Sequence, residues 1–489
     1  MRGPHAAAQR NHPYLLIRHM RMISSHAERA AFLARRRCGT RPSGGPCRYC
    51  AQGVDIFMEN RYLWIVRRST RISAFNFQAD GAGMKASKWR AGVAAVFATA
   101  LGFGALVAAP AALAAGSIKI GLLAPLTGTG GPYGQEEVDA AKAAVDHINA
   151  AGGVLGKPLE LVVADDESTP TAGVAAARKL IDVDGVVAIA GIWSSGVGLA
   201  VRPVALEKGV ALLPNGSADE LTQGDTKGLV WRFQTNGKAW GEAFANVVAG
   251  DGAKTASILV LQTPFTLSTV QPFADRFKEK GGKILDIVYF NPNQPSYRTE
   301  VEKIFGKRPD AVFVPSYINE FSAIVKEAYR GGYESKLYTF SHAADSGGKF
   351  VQNVGKQAAE GVNHVQATPV GASDTYKLYL RQTGQKEGTI VAFGANVFDE
   401  INVLALAIAK AGSARAVDFA KEIPNVVNAD GPAVHDPVEG LALAGQGKPF
   451  RYAGAAADFK FLPNGDQTNL DYGHWRVLDG VSKLVGTTK

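Results

Sequence analysis

Cysteine is almost absent from this chain of 489 residues, and its three cysteines, Cys38, Cys47 and Cys50, all lie within the first 50 positions. The rest of the chain therefore has no disulfide, no thiol nucleophile and no cysteine-based metal site. Cys47 and Cys50 form one C-x-x-C pair with Cys38 nearby, whereas a thiolate zinc site needs a second pair at matching spacing. We therefore expect neither a metal nor another cofactor.

Excess positive charge is missing from most of the chain, although the whole sequence has a formal net charge of +9. Residues 1–83 hold 14 arginines, no lysine and 4 acidic residues, and residues 84–115 add three basic side chains, so the remaining positions carry a net charge of −4. A protein that neutralises phosphates needs a basic stripe, which this mildly acidic part does not offer. Nucleic acid is therefore excluded as a partner.

Common catalytic motifs are missing as well: the sequence has no P-loop, no G-x-S-x-G elbow and no H-E-x-x-H pair. Gly128-x-Gly130 lacks the third glycine of a dinucleotide fingerprint, and Pro132 interrupts the segment. The acidic run at residues 165–167 lies too far from these glycines for a ribose contact and is typical of a polar loop. With no nucleophile–base pair in sight, the sequence predicts a protein that is not an enzyme.

The sequence predicts an export signal that begins at Met84. Met84 opens a short basic stretch, residues 91–107 form an alanine-rich apolar run, Pro110 breaks it, and residues 112–114 supply an A-x-A cleavage site. The run is short for a membrane span, and its small-residue, proline-containing end does not suit a stop-transfer segment. These features predict a signal peptide over residues 84–115.

Cleavage near Ala114 or Ala115 would release the mature protein into the periplasm, which is the predicted location. A signal peptide normally starts a chain, so residues 1–83 need a separate explanation. They are rich in arginine and show no sustained helical or strand period. We expect them to be a disordered, non-native upstream extension, with translation starting at Met84.

From residue 117 onward, short apolar runs alternate with helical patterns, which predicts an α/β fold with parallel sheets. The first series has strands at residues 118–123, 159–164, 186–190 and 211–213, with helices at 135–151, from 170 onward, and at 194–208. The second has strands at 256–261, 284–290, 311–314 and 337–340, with helices at 267–280, 298–305 and 318–330. Further helices follow at 374–383, 394–411 and 415–423, and then a hairpin of 458–461 with 472–478. Two similar units of about 120 residues predict two domains.

The loops after the strands are the candidate binding region, because ligands of open α/β sheets lie beyond the carboxyl ends of the strands. The third loop, residues 191–196, places Ser194 at a helix start. Free N–H groups there favour an anion such as a carboxylate, but an ordinary serine N-cap is an equally good interpretation. The fourth loop contains Ser217-x-x-Glu220, a capping-box pattern. A helix starting there would face the first and converge on the same anion.

Four segments, in this order, resemble the leucine/isoleucine/valine-binding family of type I periplasmic binding proteins, which serve ABC transporters. They read "IKIGLLAPLTGTGGPYG", "AAVDHINAAGGVLGKPLELVVADDESTP", "GIWSSGVGLAVRPVALEKGVALLPNGSADELT" and "WRFQTNGKAWGEAFA". The resemblance runs from about Ser117 to the C-terminal region. It implies two doubly wound parallel-sheet lobes joined by three crossovers, with a ligand in the cleft. Lobe 1 would comprise residues 117–236 and 366–453, and lobe 2 residues 237–365 and 454–489.

The resemblance also implies which residues meet the ligand. In that family a third-loop serine and a fourth-loop segment of small and hydroxyl residues hold the α-carboxylate, while aromatic residues come from the first loop and the second lobe. The positions matched here, with the adjoining serine, are Tyr133, Ser194, Ser195, Asn215, Gly216, Ser217, Phe265 and Tyr317.

Two departures from the family pattern concern the ligand. Amino-acid binders of the family often place a carboxylate after the fourth strand of lobe 2 to meet the ammonium group, where this chain offers His342 and Asp345. Either His342 replaces that carboxylate or Asp345 does its work, with Glu320 as the fallback partner. Because histidine cannot attract an ammonium group as a carboxylate does, the sequence calls an α-amino ligand into question. Trp193 stands where some relatives carry a disulfide cysteine, and either packing or ligand contact would explain it.

By this resemblance the chain is expected to be a monomeric periplasmic substrate-binding protein of an ABC importer. It would bind an amino acid, an amide or a small carboxylate by hinge closure and then dock on permease subunits in the inner membrane. Two alternatives remain from other classes. One is an extracytoplasmic ligand sensor of the same fold, and the other is an enzyme that uses the cleft between the lobes.

Overall fold

The computed structural model describes residues 116–344, 348–367, 373–386, 393–468 and 471–488, together with the backbone of short strands between residues 47 and 76. The predicted signal peptide at residues 84–115 lies outside the described residues, as do Cys38 and Asp345. Among the described residues, none of the helices has the length and apolar character that crossing a bilayer requires.

The first unit of the chain contains an antiparallel sheet. Its described strands, β1 to β5, are Cys47–Ala51, Val54–Glu59, Tyr62–Arg67, Thr70–Arg71 and Phe75–Asn76. The disorder predicted for residues 1–83 therefore does not hold at these positions. Runs such as Tyr62–Arg67 are rich in β-branched and aromatic side chains, which favour strands even without strict alternation. That translation starts at Met84 stays a prediction.

The second unit begins with lobe 1, whose sheet is parallel and has the strand order β7-β6-β8-β9. Strands β6 to β9 are Ile118–Ala124, Leu159–Asp165, Ala188–Gly191 and Ala211–Pro214, and helices α1 to α3 are Gly131–Ala150, Pro170–Arg178 and Ser195–Lys208. Every residue of β8 and β9 is buried, because helices cover both faces of the sheet. Ile120 and Leu122 pack on one face, and Leu123 and Ile189 on the other.

Lobe 2 follows with a second parallel series. Strands β10 to β14 are Thr255–Leu261, Lys283–Phe290, Ala311–Phe313, Lys336–Phe340 and Asn363–Ala367. Helices α4 to α11 are Gly237–Gly250, Pro264–Ser268, Val270–Glu279, Arg298–Phe305, Ile318–Arg330, Ser341–Ala344, Lys349–Val354 and Lys356–Ala359. The sheet order is β11-β10-β12-β13-β14, and apolar clusters again fill both faces. The α/β architecture with two parallel-sheet lobes is thus as predicted.

The chain then returns to lobe 1. Helices α12 to α16 are Asp374–Thr383, Gly394–Ala411, Ala416–Phe419, Ile423–Val427 and Pro437–Gly445, and the paired strands β15 and β16 are Ala433–Val434 and Arg451–Tyr452. Helix α13 is buried along most of its length and packs on α1. Phe459 and Phe461 also belong to the lobe 1 core, and β14 keeps residues up to Ala367 in lobe 2. The second and third crossings therefore lie further along the chain than the predicted boundaries at 365/366 and 453/454.

The last segment completes the sheet of lobe 2 with an antiparallel hairpin. Its strands, β17 and β18, are Tyr472–Leu478 and Val481–Thr488. The predicted pairing of residues 458–461 with 472–478 is therefore wrong. The turn lies instead at Asp479 and Gly480, which both have positive φ, of 57° and 78°. An Asp-Gly pair is the favoured chemistry for such a two-residue turn.

A buried ion pair ties the first and third crossings between the lobes. Arg232 precedes the first crossing, and its side chain is fully buried. Its Nε and Nη2 lie 2.9 and 2.6 Å from Oδ1 of Asp466, which precedes the third crossing. The hydroxyl of Thr222 donates to the same oxygen at 2.8 Å, and Arg232 Nη1 donates to the Ala218 carbonyl at 2.6 Å. The two connections are thus anchored to each other on the lobe 1 side.

Candidate functional site

A small cavity lies between the two lobes, beyond the carboxyl ends of β8 and β9, where an open α/β sheet places its binding site. Its volume is about 20 Å³, which is room for a water molecule and not for an amino acid. Lobe 1 and lobe 2 both contribute to its wall. The lining residues are Trp193, Asn215, Ser217, Gln234, Trp240, Phe265, Tyr317, His342, Gln366 and Phe393.

The floor of the cavity is the loop after β9, and it is held by Ser195. The buried hydroxyl of Ser195 accepts hydrogen bonds from the backbone N–H groups of Ser217 at 2.9 Å and Ala218 at 3.0 Å. Gly216 permits this approach, since a Cβ there would lie 3.0 Å from the Ser195 Cα and 2.7 Å from a methyl carbon of Leu221. Ser195 and Gly216 therefore position the floor, and Asn215 and Ser217 present their side chains to the cavity.

Ser194 acts here as the N-cap of α3, which is the second of the two interpretations that its position allowed. Its side chain accepts from the backbone N–H of Val197 at 3.5 Å, and it is half-buried beside the cavity lining rather than part of it. The capping box predicted at Ser217 and Glu220 does not form. Only a short 3₁₀ turn, Asp219–Leu221, follows Ser217, and no side chain caps it. Only one of the two predicted helix starts is therefore present near the floor.

The loop that carries Trp193 begins with a strained turn. Gly191 and Ile192 have φ values of 84° and 47°, and a β-branched residue rarely adopts positive φ. Two hydrogen bonds hold this turn: Gly191 N–H donates to Glu400 Oε2 at 2.7 Å, and Ile192 N–H donates to the Leu123 carbonyl at 2.9 Å. The turn fixes the indole of Trp193 in the cleft.

Aromatic rings form the contact between the lobes at the cavity. From lobe 1, Tyr133 and Phe393 pack around Trp193, with ring centroids 5.4 and 6.3 Å from it. Trp193 in turn lies 4.9 Å from Tyr317 of lobe 2, and His342 of lobe 2 lies 5.7 Å from Phe393. These separations suit aromatic pairs. Three of the predicted aromatic contacts, Tyr133, Trp193 and Tyr317, are thus brought together here.

His342 lies on the lobe 2 side, stacked on Phe340 with centroids 5.1 Å apart. Tyr133 donates its hydroxyl hydrogen to the His342 backbone carbonyl at 2.9 Å, which is a direct hydrogen bond between the lobes. Burial lowers the pKa of His342 to about 3, because the charged imidazolium would lose its hydration. The ring is therefore neutral at physiological pH and presents no positive charge to the cavity.

Acidic side chains lie buried behind the floor. Glu137 of α1 and Glu400 of α13 are fully buried, and burial, reinforced by neighbouring carboxylates, raises the pKa of both well above the usual range. Asp166 adds to the shift of Glu137, whereas the amide of Asn215 opposes it. Burial also raises the pKa of Asp166 to about 6. The group next to Asn215 is thus held toward its neutral acid form.

The remaining predicted site residues fall in three places. Phe265 lines the cavity and packs on Phe340 at 4.8 Å. Glu320 lies buried near Tyr297 and Asn293, outside the cavity lining, and burial raises the pKa of its carboxyl. Asp345 lies outside the described residues. Among the described residues no group of three His, Cys, Asp or Glu side chains could hold a metal ion.

Four lining residues were not predicted: Gln234, Trp240, Gln366 and Phe393. Gln234 and Trp240 occur in the segment "WRFQTNGKAWGEAFA", so the resemblance already pointed to their neighbourhood. Gln366 lies at the end of β14, a strand that the sequence analysis missed. Phe393 precedes α13 and carries no signal in the sequence that distinguishes it from a core residue.

Comparison with known proteins finds a matching protein family and similar sequences. The sequence pattern of the periplasmic binding protein family matches residues 117–439. The Leu/Ile/Val-binding protein BraC3 of Rhizobium johnstonii is 29% identical over 336 residues, covering 65% of this chain and 88% of that protein.

Two solved structures share the fold. The leucine-binding protein LivK of Thermotoga maritima superimposes with a TM-score of 0.65 at 23% identity, covering 76% of this chain and 98% of that chain. The branched-chain amino acid transporter substrate-binding protein LivJ of Streptococcus pneumoniae, solved with isoleucine, gives a TM-score of 0.64 at 22% identity, covering 76% and 99%. Both show a type I periplasmic-binding-protein fold.

Proposed function

The chain belongs to the periplasmic binding protein family, and we propose that it binds a small molecule bearing a carboxylate or an amide between its lobes for an ABC importer. One observation carries this proposal. Asn215 and Ser217 of lobe 1 face Phe265, Tyr317 and His342 of lobe 2 across a single cavity. The polar floor would hold the head group, and the rings of lobe 2 would cover the apolar body.

Ligand capture would proceed by separation and closure of the lobes. The lobes meet here through ring contacts and the Tyr133–His342 hydrogen bond, around a cavity of about 20 Å³. A ligand larger than a water molecule therefore needs the lobes to move apart. A ligand that touches both lobes binds their closed arrangement better than the open one, so it shifts the population toward closure. No bond is made or broken in this cycle.

The roles of the predicted residues follow from where they lie. Asn215 and Ser217 would contact the head group, while Ser195 and Gly216 position that loop. Ser194 would reach an anion only through the free N–H groups of the helix start that it caps. Residues on the lobe 2 side would then set the shape of the site.

Delivery to the permease subunits of an inner-membrane ABC importer, from the periplasm, completes the proposal. Curated relatives such as BraC3 are named for leucine, isoleucine and valine, so these are the first ligands to test. Amides and short or aromatic carboxylates belong in the same panel, because the cavity wall combines amide side chains with rings.

A thermal-shift panel on the purified protein tests binding. A ligand at a hundred times its dissociation constant should raise the free energy of unfolding by about 2.7 kcal/mol. Small-angle scattering should show a smaller radius of gyration with that ligand, and uptake of the labelled compound by cells should require the protein. Asn215→Ala should weaken binding, and Asn425→Ala, on an exposed surface, is the matched control. Binding insensitive to Asn215→Ala, or conversion of the ligand into a product, would contradict the proposal.

A further inference from the structure

The chemistry of the cavity wall narrows the class of ligand, given the proposed function. Trp240 of lobe 2 lines the cavity with a buried indole N–H that has no hydrogen-bond partner. The side-chain oxygen of Gln234 accepts from the backbone N–H of Thr235 at 2.9 Å, which leaves its NH₂ group as a donor. Asn215 lines the opposite side, next to the buried carboxyl of Glu137. N–H donors thus come from both lobes, and buried donors are costly unless a ligand accepts from them.

Rings make up most of the remaining wall. Trp193 and Phe393 come from lobe 1, and Phe265, Tyr317 and His342 come from lobe 2. Rings on both sides of a narrow space favour a flat apolar body, which can stack or pack edge to face with them.

None of the described residues that line the cavity carries a formal charge. These residues offer amides, the hydroxyls of Ser217 and Tyr317, aromatic rings and the neutral imidazole of His342. A primary ammonium group buried there would have no anionic partner among them and would face N–H donors instead. A quaternary ammonium group would suit the rings but would leave those donors unpaired. A carboxylate also meets no opposite charge among the described wall residues, but it accepts hydrogen bonds from all of these donors.

We propose that the ligand is a monocarboxylate with a flat apolar body and no ammonium group. Its carboxylate accepts hydrogen bonds from Trp240, Gln234 and Asn215, and its body packs against the rings that line the cavity once Trp193 and Tyr317, whose centroids lie 4.9 Å apart here, separate with the lobes. This inference rests on the proposed function and separates the chain from the α-amino-acid ligands that its family resemblance implies.

Two matched pairs of ligands test this inference by titration calorimetry of the purified protein. 3-Phenylpropanoate differs from phenylalanine, and 4-methylpentanoate from leucine, only in lacking the ammonium group. We expect each deaminated acid to bind at least about tenfold more tightly than its amino acid. We also expect 3-phenylpropanoate to bind more tightly than 4-methylpentanoate, because only its body is a ring.

The outcomes separate this inference from the proposed function. Leucine or phenylalanine binding as tightly as its deaminated counterpart would overturn the inference and still support a binding protein. If none of the four acids binds but another compound closes the lobes, the ligand class is wrong and the proposed function stands. If no compound of the wider panel binds, both fail.

Trp240→Phe tests the donor directly, because it keeps an aromatic ring and removes the N–H. The affinity for 3-phenylpropanoate should fall about tenfold, since a hydrogen bond to a charged group is lost. Trp231→Phe is the matched control, because Trp231 lies in the lobe 1 core and donates its N–H to the Gly228 carbonyl at 3.1 Å. That variant should lose some stability and keep its affinity. Unchanged affinity in Trp240→Phe, with its melting temperature preserved, would remove this donor from the site and overturn the inference.

Discussion

Removing the carboxylate of Asp466 should strongly destabilise lobe 1. In Asp466→Ala the guanidinium of Arg232, whose side chain is fully buried, loses contacts of 2.9 and 2.6 Å to Oδ1. The Ala218 and Asp219 carbonyls and the Thr222 hydroxyl remain as its hydrogen-bond partners, and the only carboxyl left to interact with it among the described residues is that of Asp219, which makes no ion pair with it. Breaking a buried pair by removing one partner costs about 3–5 kcal/mol, because the other charge stays desolvated and unpaired.

Urea unfolding followed by circular dichroism measures this loss. Glu302→Ala is the matched control, since its pair with Arg298 has the same type of contact, at 2.7 Å, on an exposed helix surface. An exposed pair contributes about 0–1 kcal/mol, so that variant should unfold almost like the unmodified protein. The double variant Arg232→Met, Asp466→Leu removes both charges and should regain most of the lost stability.

Two results would refute this reasoning. If Asp466→Ala unfolds within about 1 kcal/mol of Glu302→Ala, the pair is solvated or dispensable. If the double variant is as unstable as Asp466→Ala alone, the unpaired charge is not the cause of the loss.

Three further predictions concern the cleft. Burial raises the pKa of Glu137 well above its unfolded value of 4.5, so its contribution to stability is present at low pH and lost as the pH rises above that value. Glu137→Gln should therefore flatten the decline in unfolding free energy on the alkaline side of pH 4.5, and an unaltered slope would contradict this. Ser195→Ala leaves two buried N–H groups unpaired and should lower the unfolding free energy by about 1–3 kcal/mol. Ser194→Ala removes only an N-cap and should lower it by about 1 kcal/mol. Equal losses for the two variants in urea unfolding would count against these roles. Tyr133→Phe removes the hydrogen bond to the His342 carbonyl, so the binding free energy of a ligand that closes the lobes should become about 1 kcal/mol less favourable in titration calorimetry. An unchanged affinity would show that this hydrogen bond does not favour closure.

Regular elements with strong periodicity could be predicted from the sequence. Helices Arg298–Phe305, Ile318–Arg330 and Gly394–Ala411 have the predicted bounds, and Thr169 caps the helix that begins at Pro170, as expected. The elements that were predicted wrongly depend on contacts between residues far apart in the sequence, which the local sequence pattern does not show. Strand Asn363–Ala367 has no distinctive apolar run and is a strand only because it pairs with its neighbours in lobe 2.

The C-terminal hairpin shows a different kind of error. Two turn signals compete in this region, the Pro-Asn-Gly-Asp run at residues 463–466 and the Asp479-Gly480 pair. The run at 463–466 places Asp466 against Arg232, and nothing in the local sequence indicates this long-range contact. The pair at 479–480 makes the hairpin turn.

The candidate site was predictable where a residue's role follows from its position after a strand. The loops with Trp193 and with Asn215 and Ser217 were found in this way, and the structure brings them to one cavity. The N-cap role of Ser194 was one of its two predicted interpretations, but the role of Ser195 as the residue that holds the neighbouring loop was not predictable. One residue along a helix start decides whether a hydroxyl caps its own helix or turns toward the neighbouring loop, and the sequence alone does not fix that direction.

The N–H groups of Ser217 and Ala218 are fastened to the Ser195 hydroxyl within lobe 1, and the Ser217 carbonyl accepts from the N–H of Gly237, the first residue of lobe 2, so the loop stays anchored beside the first crossing when the lobes separate. The residues of lobe 2 that line the cavity can then be changed to alter which ligand is bound. A library that randomises Phe265, Tyr317 and Gln366 on this fixed cradle would explore new analytes without disturbing head-group capture. Such a division suits the construction of fluorescent sensors from this protein, with the dye placed on the moving lobe.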